Sequence, residues 1–445
     1  MERTHVVTCF LRNRGEVLLL RRSEAVGSYP GKWGGVAGHA EGDPDAGGRT
    51  ASSEPSPADA REDAAAREEI AEETGLLDAC TLARKGTAFE FEDEELGTRW
   101  VVHPYLFDCE HRDAETDWET DESEWVHPTE ILRRDTVPNL WTAYSRVAPT
   151  VQQVAEDEDR GSASLSVRAL EVLRDRAGSF AVQGNGGWSQ LAALAERLLD
   201  ARPSMAAVGN RVNRAMAAAS DAADDEADDE TAAMAVERAA REGIERAYRV
   251  DERAAANAAA EIRGGTVLTL SRSGTVFDAL PAADRAFVAE SRPAREGVGV
   301  AERLAADPEG PDVTLHTDAA VAHVLATENV DALLVGADAV LPDGRVVNKT
   351  GTRGAALAAE REGVPAYTVA ASDKVRTDDA VHLEAGDARA VYDGDAEVEA
   401  LNPTFDVTPA DLLSGVITER GVLDESGVSA VADELRALSA WRDGE

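Results

Sequence analysis

The sequence predicts an α/β protein of two parts, and three observations carry that prediction. The first part opens with apolar runs of strand length, followed by a helix with clear signals at both ends. A stretch rich in Ala, Leu, Arg and Glu comes next, and its periodicity predicts a helical bundle. The last part alternates short apolar strands with helices, which is typical of a doubly wound, Rossmann-like parallel sheet. We therefore divide the chain into 1–150, a polar linker at 151–159, a helical subdomain at 160–263 and an α/β subdomain at 264–435.

The composition is extremely acidic, with a formal net charge of −40, and only four of the 45 basic residues are lysine. Such a surface suits a protein that stays soluble at molar salt, where charge is screened within a few Å. We therefore expect a halophilic, salt-tolerant cytoplasm. The sign of the charge argues against a direct nucleic-acid binder.

The three cysteines, Cys9, Cys80 and Cys109, are far apart and show neither a metal-knuckle spacing nor a disulfide framework. No signal peptide opens the chain, and no apolar run approaches the length of a membrane span. These features predict a cytoplasmic location and no membrane contact.

In the first part, strands are predicted at 6–11, 17–22, 87–91 and 98–106, the last two as a hairpin turning at Gly97. Between the two pairs, 56–76 predicts one helix, with Pro57 at its first position and Gly75 past its last turn. The elements therefore follow one another along the chain as two strands, a helix and a hairpin.

Three glutamates of this helix, Glu69, Glu72 and Glu73, stand at i, i+3 and i+4 and therefore share one face. Like charges at that spacing oppose the helix unless a hard divalent cation sits among them, and Mg²⁺ or Mn²⁺ prefers carboxylate oxygen. The alternative is a solvated acidic surface, which is common in so acidic a chain.

The run REEIAEETGL, with Gly38 upstream, resembles the Nudix box. The resemblance implies an α/β/α sandwich with a mixed sheet and a site in which Glu69, Glu72, Glu73 and Gly38 hold Mg²⁺ (or Mn²⁺), with the glutamates also supplying the base. Two features depart from the family. Glu68 occupies its arginine position, and a Gly-, Ser- and Pro-rich insertion, about 44–55, separates Gly38 from the helix.

In the last part, polar residues follow the predicted strands, at the sheet edge where ligands of doubly wound folds bind. Strands are predicted at 266–270, 286–290, 313–317, 332–335 and 366–370. Two of the four lysines, Lys349 and Lys374, belong to this group, and lysine is a compact charge suited to phosphate. The alternative is that both are ordinary surface residues.

Residues 160–435 resemble the family that joins the regulatory subunits of translation initiation factor 2B with methylthioribose-1-phosphate and ribose-1,5-bisphosphate isomerases. The stretches ESRPAREG, VGADAVLPDGRVVNKTGT and NPTFDVTP carry the resemblance. It implies a homodimer and a pocket for a phosphorylated sugar or nucleotide. The implied ligand-binding residues are Arg160, Gly161, Arg202, Ser271, Ser273, Gly274, Thr275, Asp338, Asn348, Lys349 and Lys374.

One position decides the chemistry of this part. The isomerases use a cysteine shortly after the first strand of the sheet together with the aspartate of GAD; here Asp338 is present, but the cysteine position holds Ser271. A serine is a far poorer acid and nucleophile near neutral pH than a thiol. We therefore expect a ligand-binding domain with little or no isomerase activity.

Three functions follow. The first is a metal-dependent pyrophosphohydrolase that cleaves a nucleoside diphosphate linked to another group, for example a nucleotide sugar, with Arg22 or Lys32 steadying the phosphates. The second is a regulatory or translation-associated protein that senses a nucleotide without hydrolysing it. The third is a sugar-phosphate isomerase that uses Asp338 with Ser271.

Overall fold

A computed structural model of the chain describes residues 2–40, 57–157, 160–223, 231–381 and 383–442. It contains two compact units, residues 1–150 with 174–186, and residues 151–173 with 187–445. The insertion predicted at about 44–55 lies outside the described residues. Among the described helices, none has the length and apolar character needed to span a bilayer.

The first unit is built on a mixed sheet, flanked by helices α1 (Pro57–Thr74) and α2 (Leu140–Ser145). Its strands are β1 (Glu2–Asn13), β2 (Glu16–Arg22), β3 (Trp33–Gly34), β4 (Val36–His39), β5 (Cys80–Lys85), β6 (Phe89–Asp93), β7 (Thr98–Cys109) and β8 (Thr120–Val126). The central strands run in the order β3-β2-β1-β7-β5, and β4, β6 and β8 pair with β1, β7 and β2. Only the β1–β7 pair is parallel among these described pairings.

The two faces of this sheet are covered by different helices because side chains alternate along each strand. Ala66 and Ile70 of α1 pack with Val7 and Leu11 of β1. On the opposite face, α2 packs with the intervening residue Phe10. This arrangement confirms the predicted sandwich and its mixed sheet.

The expectation that the cysteines form no disulfide is wrong. Cys80 and Cys109 are linked, because the antiparallel register of β5 and β7 places them directly opposite each other. Their separation of 29 residues gives no local signal of this pairing. Cys9 keeps a buried thiol.

A helical stretch follows residue 150, as predicted. It contains α3 (Val151–Glu156), α4 (Ser162–Gln183), α5 (Trp188–Ala201), α6 (Ala206–Ala223) and α7 (Ala232–Ile262). The second half of α4 belongs to the first unit. Helix α3 occupies most of the stretch predicted as a linker at 151–159. Apolar residues at helical spacing, such as Val236, Ala240 and Ile244, are buried along α7.

The second unit contains the predicted doubly wound sheet. Its strands are β9 (Thr266–Thr269), β10 (Arg285–Ala289), β11 (Asp312–His316), β12 (Ala332–Gly336), β15 (Ala366–Val369), β17 (Gly415–Thr418) and β18 (Gly421–Leu423). They run in the order β11-β10-β9-β12-β15-β17-β18, and all pairs are parallel except the edge pair β17–β18. A small antiparallel sheet holds β13 (Ala339–Val340), β14 (Val346–Lys349) and β16 (Phe405–Thr408).

Among the described residues, five α-helices accompany these strands: α8 (Gly274–Ala279), α9 (Glu296–Ala305), α10 (Val321–Thr327), α11 (Thr352–Glu362) and α12 (Glu425–Ala437). Apolar residues of α8 and α9 join one buried cluster with the sheet, and those of α10 and α11 join another. Of the residues predicted to bind a ligand, Ser271, Asp338, Lys349 and Lys374 lie at the ends of strands or just beyond them, where parallel sheets place their ligands, whereas Arg160, Gly161 and Arg202 belong to the helical stretch.

Candidate functional sites

The first candidate site lies where the second half of α1 faces β4. A Cβ added to Gly38 would lie 1.6 Å from Oε1 of Glu69, so the carboxylate occupies space that any side chain at position 38 would fill. The sequence places a glycine here because the carboxylate approaches the backbone too closely for another residue.

Glu73, one turn after Glu69, is buried beside the same strand, with 8% of its surface exposed. Its Oε2 accepts a hydrogen bond from the backbone N–H of Ala37, at 3.4 Å. Glu72 is exposed on the outer side of the helix. Of the three glutamates predicted to share a face, Glu69 and Glu73 thus point at β4, whereas Glu72 is exposed.

These carboxylates lie in an acidic environment. Burial, followed by the charge of Glu72, raises the pKa of Glu69 to about 7. Burial, followed by the charge of Glu69, raises the pKa of Glu73 to about 8. Asp117 and Glu119, which precede β8, add to the repulsion on Glu69, and the sequence analysis did not identify either residue.

Of the two cations considered for phosphate binding, the structure favours Arg22. Its positive charge partly offsets the rise in the pKa of Glu73. Its Nε donates to the carbonyl of Ser28 at 2.9 Å. Lys32 instead forms an ion pair with the exposed Asp135, at 2.6 Å. Of the two, Arg22 therefore lies within electrostatic reach of Glu73.

The donor set fits a hard divalent cation. Glu69 and Glu73 offer carboxylate oxygens on adjacent turns, with Glu72, Asp117 and Glu119 acting electrostatically on Glu69. Mg²⁺ and Mn²⁺ prefer this all-oxygen chemistry. A cation among these groups would offset both the burial and the repulsion that raise the two pKa values.

The second candidate site lies beyond the strands of the second unit. Ser271 follows β9 in the left-handed region, with φ of 64°. Its hydroxyl donates to Oε2 of Glu296 at 2.9 Å, and the other oxygen of Glu296 pairs with Nζ of Lys349 at 3.2 Å. Glu296, at the start of α9, was not among the predicted residues, yet its carboxylate joins two of them.

Asp338 and Lys374 are both buried in this region. Burial raises the pKa of Asp338, and the nearby charges of Lys374 and Lys349 oppose that change. Burial likewise lowers the pKa of Lys374, whose Nζ donates to the carbonyl of Ala337 at 2.6 Å. The two lysines predicted at strand ends thus share the electrostatic field of one buried aspartate.

Two other predicted residues, Ser273 and Asn348, lie beside Gly336, the last residue of β12. Ser273 caps α8 and packs so closely on Gly336 that a Cβ there would lie 2.8 Å from the Ser273 Cβ. Asn348 is buried and donates to Thr352 at 2.9 Å. Thr275 is buried within α8, whereas a side chain on Gly274 would meet open space.

Arg160 and Arg202 converge on another acid. Both form hydrogen bonds with Asp157, Arg160 to its carboxylate and Arg202 to its carbonyl, and the adjacent Gly161 is exposed. Arg202 also lies 3.5 Å from Glu384, whose charge acts on Asp338. The contacts thus connect Arg202 to the Asp338 region electrostatically, and they do not place Arg160 or Gly161 beside Ser271.

Two protein families match the chain in succession. The NUDIX domain family matches residues 1–147, and the initiation factor 2 subunit family matches residues 158–425. The ribose 1,5-bisphosphate isomerase of Haloferax volcanii is 32% identical over 310 residues, which cover 65% of this chain and 94% of that protein.

Two further relatives are similar to part of the chain. The methylthioribose-1-phosphate isomerase of Pseudomonas syringae is 36% identical over 158 residues, 34% of this chain, and the chain spans only 44% of that relative. The crystal structure of a Pyrococcus horikoshii translation initiation factor eIF-2B is 24% identical, with a TM-score of 0.50 over 61% of this chain and 94% of that one. The latter similarity concerns the fold alone.

Proposed function

The chain belongs to the initiation factor 2 subunit family and carries a NUDIX domain before the family's region, and on that premise we propose that it is a metal-dependent pyrophosphohydrolase. Its substrate is a nucleoside diphosphate linked to a second group, such as a nucleotide sugar. The second unit binds a phosphorylated sugar or nucleotide and forms a homodimer.

The approach of Glu69 to Gly38 carries the hydrolase proposal. It brings one carboxylate against β4 beside the buried Glu73, so two acids meet where a substrate phosphate can approach Arg22. Glu69, Glu72 and Glu73, with Gly38, would hold Mg²⁺ or Mn²⁺. Such a cation polarises the phosphate and stabilises the charge that develops on it.

The protein groups do the remaining work. Glu69 accepts the proton of the attacking water, because its carboxylate lies against β4 where the phosphate would be attacked. Arg22 attracts the diphosphate and orients it. The hydrogen bond from the backbone N–H of Ala37 holds the carboxylate of Glu73 in place during turnover.

A panel of nucleotide sugars, dinucleoside diphosphates and nucleoside triphosphates, assayed with Mg²⁺ and Mn²⁺ at molar KCl, tests the proposal. We expect one class to be hydrolysed, and Glu69→Gln to reduce kcat at least about 100-fold. Glu68→Gln is the matched control, because it removes the same charge from an exposed neighbouring position. Equal activity of both variants would remove Glu69 from the mechanism, and ligand binding without product from any compound would favour the nucleotide sensor.

In the second unit, Lys349, Lys374 and Arg202 supply the positive charge that a phosphorylated ligand needs. Calorimetry with pentose phosphates and nucleoside monophosphates tests this binding, and light scattering at the same salt tests the dimer. A full-length protein that binds none of these compounds would contradict the ligand-binding role.

Isomerase activity is the second candidate, because the Haloferax relative is named for it. Asp338 favours it as well, since its raised pKa suits an acid that donates a proton. Ser271 opposes it, because its hydroxyl bonds to Glu296 and replaces a thiol. Rapid conversion of an aldose 1-phosphate to a ketose phosphate by the wild-type protein would establish this activity.

A further inference from the structure

A second group of metal-binding side chains lies in the first unit, separate from the glutamates of the proposed hydrolase site. It consists of His5 on β1, His103 on β7 and Glu62 on α1. Nδ1 of His5 lies 3.0 Å from Nε2 of His103, which in turn lies 3.5 Å from Oε1 of Glu62. All three ligand atoms lie within 4.8 Å of one another.

These separations match the edges of a small coordination sphere. Zinc binds imidazole nitrogen at about 2.0–2.1 Å, so neighbouring ligands of a tetrahedral site are about 3.3 Å apart. Two imidazoles and one carboxylate select a borderline first-row cation rather than Mg²⁺. We propose that His5, His103 and Glu62 bind one Zn²⁺ or a similar divalent ion, with water completing its coordination.

The surroundings hold Glu62 in position for this role. Nζ of Lys85 lies 3.8 Å from Oε2 of Glu62, the oxygen that does not face His103. The same lysine pairs with Asp63 at 2.8 Å, and Asp63 accepts a hydrogen bond from the hydroxyl of Tyr105 at 2.7 Å. Lys85 is thus tethered beside the cluster, and Oε1 of Glu62 points towards the imidazoles.

The position of the cluster indicates what the ion does. Glu62 precedes Glu69 by seven residues, two helical turns, so both lie on the same face of α1. An ion shared with β1 and β7 would fix the first half of α1 to the sheet and thereby position the second half, which carries the glutamates. The site is therefore a positioning site, distinct in ligand chemistry from the all-oxygen site.

Zinc and cobalt titrations of untagged, metal-free protein at saturating Mg²⁺ test the proposal. We expect one Zn²⁺ equivalent that is lost in His5→Ala and weakened at least about 100-fold in Glu62→Gln, since removing even an outer-sphere partner costs ~10–100-fold. His111→Ala, at an exposed histidine, is the matched control and should bind like wild type. Equal Zn²⁺ stoichiometry and affinity in wild type and His5→Ala would overturn the proposal.

X-ray absorption on the zinc-loaded wild type provides a test that needs no variant. We expect two imidazole ligands in the zinc coordination shell. A shell of oxygen ligands alone would place the ion at the glutamates and reject this site. Hydrolase activity enters neither readout, so the zinc site and the proposed hydrolysis can fail separately.

Discussion

Glu73 of the first unit and Asp373 of the second are both buried carboxylates, with 8% and 1% of their surface exposed, but they have opposite surroundings. Glu73 lies beside Glu69, and its pKa is raised to about 8. Asp373 lies among Arg211, Arg214 and Arg246, whose charges hold its pKa below the usual value. Burial destabilises the charge of both acids. The neighbouring charge adds to this effect at Glu73 and more than offsets it at Asp373.

The difference shows how a functional acid can be told from a structural one. Burial alone does not separate them, because both side chains are buried. The charge around each side chain does separate them, because an acid that lies among other acids needs a cation from outside the chain to offset their repulsion. Glu296 belongs with Asp373 in this respect, because Lys349 already pairs with it.

The largest expected effect is on the stability of the second unit. Asp373→Asn removes the carboxylate that pairs with Arg211, Arg214 and Arg246 and leaves the buried Arg211 with Asp251 alone among the described acids. Breaking a buried ion pair in this way costs about 3–5 kcal/mol. Denaturant unfolding at constant salt measures the loss. Asp379→Asn, an exposed change nearby, should alter stability little, and equal stability of the two variants would contradict the comparison.

Gly38→Ala tests the geometry of the glutamate site. The added Cβ must displace the Glu69 carboxylate, and a displacement of about 1 Å costs on the order of 100-fold in turnover. Steady-state kinetics on the substrate found in the panel measures the loss. Gly27→Ala is the control, because its Cβ would meet no atom within 4 Å; full activity of Gly38→Ala would remove the proposed role of this contact.

Glu73→Gln should have opposite effects on stability and on activity. The folded protein binds a proton on Glu73 up to a pKa of about 8, whereas the unfolded chain releases it near pH 4.5, so metal-free stability falls as the pH rises between these values. The slope for one group is about 1.4 kcal/mol per pH unit. Glu69, with a pKa of about 7, steepens the slope over the lower part of this range.

Thermal melting with a chelator at pH 5, 6.5 and 8 measures this effect. Glu73→Gln should flatten the decline and melt above wild type at pH 8, while losing hydrolase activity. Added Mg²⁺ should raise the melting temperature of wild type more at pH 8 than at pH 5. A wild-type protein that becomes more stable as the pH rises would show that the pKa values of Glu69 and Glu73 are not raised in the folded state.

Glu296→Gln is expected to have the smallest effect. Its carboxylate holds Lys349 and Ser271, so removing its charge frees the lysine for a phosphate and should tighten binding of a pentose phosphate about 10-fold, ~1.4 kcal/mol. Calorimetry compares it with Glu302→Gln, an exposed change on the same helix. Weaker binding in Glu296→Gln would mean that this carboxylate contacts the ligand directly.

The large elements of the fold could be predicted from the sequence. The predicted ends of β9, β10, β11, β12 and β15 agree with the structure to within one residue, because buried parallel strands appear as short apolar runs between helices. The strands β13, β14 and β16 were missed, since segments of two to four residues carry too little pattern. The Cys80–Cys109 pairing depends on strand register, which composition does not reveal.

Only part of each candidate site could be predicted from the sequence, because the rest depends on contacts between segments that are distant along the chain. Helical spacing alone places Glu69 and Glu73 on one face, but not the burial of Glu73 or the exposure of Glu72, which depend on the packing of β4. Asp117 and Glu119 lie in a loop more than 40 residues further along the chain, without a periodic signal. Glu296 and Lys349 meet only after the sheet has formed.

The bond between Cys80 and Cys109 closes a covalent ring that contains the exposed turn between β6 and β7. A protease that cuts the backbone at this turn therefore cannot release a fragment. The cleaved protein should migrate as an intact chain on a non-reducing gel and separate into two pieces once a reductant is added.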